Sequence, residues 1–207
     1  MQVALLVITI AVAALDWVSR LWHHERLETF TKPATTLLVI GLALVSGAPA
    51  GQIAVAVAAL VLCLGGDVAL MPVVDKFVLG LASFLLGHLV FIGLFLQYGL
   101  DQPRLAGVAI LLGAVLIMSL GNVIVRGAAT KDPALKTPVT AYLFVITTMT
   151  AFGWATGMGW VIAGTTLFVI SDSILGWRQF VRERAWMSVA VMITYHGAIA
   201  SLALSLW

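Results

Sequence analysis

Two aspartates stand 105 positions apart, each in an otherwise apolar stretch: Gly65-Gly66-Asp67-Val68-Ala69-Leu70 and Ile170-Ser171-Asp172-Ser173-Ile174-Leu175. Both stretches read Asp-x-x-Leu. A charge at the bilayer centre costs about 2.5–3.5 kcal/mol on insertion scales, so an acid kept in an apolar stretch points to function. Two acids at one depth in a low dielectric do not both stay charged without partners; one holds a proton beside an ionised neighbour. General acid–base hydrolysis needs that division of labour. The blander alternative is that each acid caps a helix or pairs with Lys32, Arg178 or Tyr142.

Other chemistries fit the residues less well. His88 and His196 lack an H-x-x-x-H or H-E-x-x-H spacing, so no metal is expected. Each histidine on its own reads more readily as a hydrogen-bonded packing residue than as a catalyst. No G-x-S-x-G elbow accompanies Ser171 or Ser173. Gly65-Gly66 lacks the following Gly-Lys-Ser/Thr of a phosphate loop.

These residues need a scaffold, and composition says which kind. The 207 residues are 62% hydrophobic and 10% charged, far below the quarter expected of a soluble domain. The chain therefore reads as an all-α integral membrane protein, a single transmembrane domain over residues 1–207. Apolar runs and breakers predict eight spans: Val3–Ser19, Pro33–Ser46, Gln52–Met71, Phe77–Tyr98, Leu105–Val125, Pro138–Ala155, Gly159–Leu175 and Trp186–Leu206. The second is short and can extend back through Phe30. Met1–Leu15 has no basic leader or small-residue cleavage signal and reads as a retained first span. Cys63 is the single cysteine, which excludes a disulfide framework, and the few basic residues speak against nucleic acid.

Charge sets the orientation. The odd loops hold Arg20, Arg26, Lys32, Lys76, Arg126, Lys131, Lys136, Arg178, Arg182 and Arg184; the even loops hold Arg104 alone. The positive-inside rule puts the odd loops in the cytoplasm and both termini outside. Asp67 and Asp172 then lie about a turn from the cytoplasmic ends of spans three and seven. Asp16, Asn122, Thr35, Thr36, Thr140 and Tyr142 fall at the same level and suggest a polar cavity opening inward. The 105-residue offset also relates Pro33 to Pro138 and Thr35 to Thr140, as a parallel duplication with repeats 1–103 and 104–207 would. Gly80, Ser83 and Gly87 form a small-residue face suited to close helix packing.

Several blocks carry a resemblance that covers nearly the whole chain. They are Lys32-Pro33, Gly66-Asp67-Val68-Ala69-Leu70-Met71, Phe77-x-x-Gly80-Leu81-x-x-Phe84-x-x-Gly87-His88-Leu89 and Ser171-Asp172-Ser173-Ile174-Leu175. Together they resemble the YhhN-type lysoplasmalogenases. Tyr195-His196-Gly197-Ala198 is similar to the family's closing Tyr-Tyr-x-Ala-Gln, with Ile199 where the Gln would stand. The resemblance implies an eight-helix hydrolase, without cofactor, that cleaves the vinyl ether bond of a lysoplasmalogen. The products would be a fatty aldehyde and glycerophosphoethanolamine or glycerophosphocholine.

Vinyl ether hydrolysis suits a pair of acids. One protonates the alkene carbon, and the other stabilises the oxocarbenium ion and activates water. Asp172, between two hydroxyls, is expected to be the better hydrogen-bonded and the ionised one. On this reading Asp67 and Asp172 are catalytic, and Lys32, Tyr142, His88, Tyr195, His196 and Asn122 bind substrate, with Lys32 at the phosphate. The partners are a single-chain lysophospholipid and membrane lipid, in a bacterial inner membrane with the site toward the cytoplasmic leaflet. A small proton-coupled transporter and a lipid-binding membrane protein are the alternatives.

Overall fold

The computed structural model describes residues 2–22 and 24–207, Glu25 by its backbone alone. The described residues form helices and connecting turns. They are α1 (Gln2–Leu21), α2 (Glu25–Leu44), α3 (Ala50–Ala69), α4 (Phe77–Tyr98), α5 (Pro103–Leu116), α6 (Asn122–Lys131), α7 (Lys136–Ala155), α8 (Gly159–Phe180) and α9 (Ala185–Leu204). A π-helical turn, Ile117–Gly121, joins α5 to α6 into one long rod. Counting that rod once, eight helices are long and apolar enough to cross a membrane. In hydrocarbon every backbone N–H must be satisfied within its own segment, which leaves the helix as the available form. The protein is a multi-pass integral membrane protein.

Most boundaries fall within a few residues of the expected spans; the rod runs six residues past the expected Val125, and two further departures bear on the acids. α2 begins eight residues before Pro33, so the proline lies inside the helix and removes one rung of its ladder beside Lys32. α8 runs five residues past Leu175, which leaves Asp172 two turns from its helix end while Asp67 is two residues from the end of α3. Phe180 closes that extension edge-on against Phe77, ring centroids 5.3 Å apart.

Neighbours in sequence pack as neighbours in space: α1 on α2, α2 on α3, α3 on α4, then α5 on α7, α7 on α8 and α8 on α9. Two contacts tie the halves together, α4 on α7 and α2 on α9, and α1 also lies against α9. The expected small-residue face of α4 does meet α3. A Cβ on Gly87 would stand 3.3 Å from the Ala59 carbonyl oxygen, and Ser83 Oγ donates to Leu62 O at 2.6 Å. Gly47, Gly99 and Gly157, at φ +84°, +92° and +70°, turn the chain at the three loops of one face.

Candidate active site

The fold brings Asp67 and Asp172 to the wall of one cavity of about 300 Å³. Helices α1, α2, α3, α4, α8 and α9 all contribute to that wall. Its mouth is charged: Arg20, Lys32, Arg178 and Arg184 stand with Glu28 and Glu183.

Asp67 is fully buried and richly held. Thr36 Oγ1 donates to its Oδ2 at 2.6 Å, and Tyr195 Oη donates to the same oxygen at 2.7 Å. Lys32 Nζ stands 3.2 Å from Oδ1, an ion pair without hydrogen-bond alignment, and 3.4 Å from the Asp67 carbonyl oxygen. The hydroxyls arrive because α2 and α9 flank α3 at this depth. Tyr195 is braced in turn, its ring edge-on to Phe84 at 5.7 Å. Phe84 can press that close because Gly66 has no side chain; a Cβ there would meet the ring at 2.5 Å. Lys32 is committed to Asp67, Arg20 to Asp16 and Glu28, and Arg178 to Glu183 at 2.8 Å, which leaves Arg184 as the mouth cation without an ion pair among the described residues.

Asp172 is held differently. Tyr142 Oη donates to its Oδ2 at 2.5 Å, and no cation lies within ion-pair distance among the described residues. Ser171 Oγ turns away and donates to Val191 O at 3.1 Å. The serines therefore do not make Asp172 the better stabilised acid, because the stabilising donors and the cation cluster on Asp67. Each acid does receive a hydroxyl from the preceding span, Thr36 on α2 and Tyr142 on α7.

The remaining expected residues divide. His88 is buried behind Tyr142 and Phe168, ring centroids 5.4 and 4.9 Å away, and neither of its nitrogens has a hydrogen-bond partner among the described residues. His196 accepts from Trp17 Nε1 at 3.1 Å through Nδ1, at the seam of α1 and α9. Neither histidine lines the cavity. Asn122 is exposed on the rod and donates to Met118 O at 2.8 Å, away from both acids. Asp16 is fully buried, held by Arg20 at 3.0 Å and Thr31 at 2.8 Å, and Arg20 also reaches Glu28 and Ser188. No group of three His, Cys, Asp or Glu suits a metal among the described residues.

Sequence alone assigns no place at the site to Arg20, Arg184 and Ser188; it puts Thr36 at the cavity's level without joining it to Asp67, and offers Arg178 only as a partner for an acid. Thr36 stands one helical turn after Lys32, a spacing that puts both on the face toward α3. The arginines and Ser188 carry no such signal, because span ends look alike until packing selects them.

A second, apolar cleft adjoins the first. It lies between α4, the α5–α6 rod, α7 and α8, and shares Leu70, Phe84, Asp172 and Leu175 with the polar cavity. Asp172 thus stands where a charged chamber meets a greasy slot.

The chain is 31% identical over 132 residues to the lysoplasmalogenase TMEM86B of Homo sapiens, covering 62% of this chain and 53% of the relative. It is 27% identical over 124 residues to a lysoplasmalogenase of Mycobacterium tuberculosis (strain CDC 1551 / Oshkosh), 59% of this chain and 48% of the relative. The TMEM86B of Rattus norvegicus is 30% identical over 137 residues, 63% and 52%. The chain spans about half the length of the curated relatives it matches. No solved structure is a significant match. A model of the YhhN family matches residues 27–206, which take in both acids and every helix from α3 to α9, and the chain belongs to that family.

Proposed function

We propose that the protein hydrolyses the vinyl ether bond of a lysoplasmalogen, releasing a fatty aldehyde and a glycerophospho head group. The carrying observation is the pair of carboxylates from α3 and α8 on the wall of one cavity whose mouth is charged. Family membership and the names of the relatives point to the same chemistry.

The unequal surroundings of the acids support different roles for them. Asp67, with a lysine and two hydroxyl donors, is the carboxylate; Asp172, with a single hydroxyl donor, carries the proton. Asp172 gives its proton to the alkene carbon that does not bear the ether oxygen, leaving an oxocarbenium ion that Asp67 stabilises. Water attacks that ion and Asp67 takes its proton. As the hemiacetal collapses, Asp67 returns that proton to the glycerol oxygen and the hemiacetal hydroxyl reprotonates Asp172. Water is consumed and both acids are restored. Arg184 receives the phosphate, and the Arg178–Glu183 pair opens so that its arginine joins the phosphate and its carboxylate the amine, a balance of charge suited to a zwitterionic head group.

The same reading places the protein in a bacterial inner membrane, termini outside, with the cavity open to the cytoplasmic leaflet, since the basic loops lie on the cavity's side. The test is aldehyde release from a vinyl-ether lysophospholipid by purified protein. Asp67→Asn and Asp172→Asn are expected to lose turnover while keeping the wild-type elution profile, Asp67→Asn at a lower melting temperature because Lys32 loses its buried partner. Turnover retained in either variant removes that acid from the chemistry.

A further inference from the structure

The larger packing contacts of the two halves match; α6 on α8 and α3 on α9 have no matching counterparts among the described residues, and the widest departure is at one seam. Exchanging the first four spans for the last four maps the contact of α4 with α7 onto that of α9 with α2. It maps the contact of α1 with α9 onto one between α5 and α4. On the first side the seam is closed: Trp17 bonds and stacks on His196, and Arg20 reaches Ser188. On the second side α4 and α5 make at most marginal contact, and the apolar cleft occupies the gap.

Three properties of the gap bear on what fills it. Its walls are hydrocarbon, with Phe77 and Leu81 of α4 facing Leu116, Ile117 and Leu120 of the rod. All five side chains are half-buried, so the slot opens sideways to lipid rather than closing as a core. At about 60 Å³ against about 300 Å³ for the polar cavity, it is too small for a head group and takes only part of a chain, the rest lying in the lipid to which it opens. On α7 it runs from Val139 to Thr147, about 12 Å at a helical rise of roughly 1.5 Å per residue. Asp172 lies on its wall and on the wall of the polar cavity.

We infer that the α4–α5 gap is a lateral doorway, and that the single hydrocarbon chain of the lysolipid enters and lies in it. The bond next to the chain then rests at Asp172 while the head group fills the polar cavity. A duplicated ancestor with repeats 1–103 and 104–207 accounts for the placement: one seam is sealed by the Trp17–His196 contact, and its counterpart has opened. The inference rests on the lysolipid reading of the site, and its test separates the two.

A lysophosphatidylcholine bearing a diazirine in its chain, photolysed with the wild-type protein in nanodiscs, is expected to label residues 116–124 and 77–84. Unlabelled lysolipid should suppress those adducts. Adducts mainly on α1 and α9, or none that compete, overturn the doorway whether or not the protein hydrolyses anything. Competed adducts in the gap from a protein that releases no aldehyde keep the doorway and sink the hydrolase reading. In a hydrolysing protein, Leu116→Trp should lower the ratio of long-chain to short-chain kcat/KM roughly tenfold, the scale of a hydrophobic pocket's discrimination. Leu111→Trp, on the outer face of the same helix, should leave that ratio alone. An unchanged ratio in Leu116→Trp counts against the doorway.

Discussion

Asp16 and Asp67 are both fully buried, and their partners tell them apart. Asp16 is bound by Arg20 and Thr31 in a network that ties α1, α2 and α9 together. Asp16→Ala leaves Arg20 without its buried partner, and such losses cost about 3–5 kcal/mol. Thermal unfolding in detergent should show the drop. Tyr142 acts through its hydroxyl on Asp172. Tyr142→Phe should lower kcat roughly 10–100-fold with little change in KM, within the range of acid–base assistance; a change confined to KM would make Tyr142 a binding residue instead. The two acids were legible in the sequence because a carboxylate in an apolar run is conspicuous. Their unequal surroundings were not, since Thr36, Lys32 and Tyr195 reach Asp67 from two other helices. The serines beside Asp172 misled because adjacency in a helix directs neighbouring side chains to different faces.

Gly66 and Phe84 show how elements hold the site. The ring of α4 sits in the notch that Gly66 leaves on α3, and from there braces Tyr195. Gly66→Ala forces the ring away and should destabilise by about 1–3 kcal/mol as an overpacked contact. Adding Phe84→Leu to that variant should recover part of the melting temperature but not the turnover, because Tyr195 loses its brace. The spans were readable from apolar runs, and errors arose where helices continue through polar sequence. The first turns of α2 carry Glu28, Thr31 and Lys32, which hydropathy reads as loop, yet they are helical because they face Asp16 and Asp67. The π turn at Ile117–Gly121 escaped notice for the same reason that it matters: it changes the register of a helix without changing its composition.

At the scale of the molecule, ten of the eleven basic residues lie on the side where the acids approach the membrane surface, an asymmetry visible in the sequence alone. The cavity between the halves was expected from the shared depth of the polar residues. The apolar cleft was not, since it arises from a contact that is missing, and no residue type announces an absence. In the proposed hydrolysis, two chambers of opposite polarity meeting at Asp172 would also govern how the products part. A water-soluble head group would leave through the charged mouth and be lost to bulk buffer. The aldehyde would dissolve in the bilayer and stay beside the protein, where it would compete with fresh substrate. Velocity should therefore follow the mole fraction of substrate among lipids rather than its bulk concentration. Accumulated aldehyde should slow turnover, and added phospholipid should relieve that inhibition while added buffer does not.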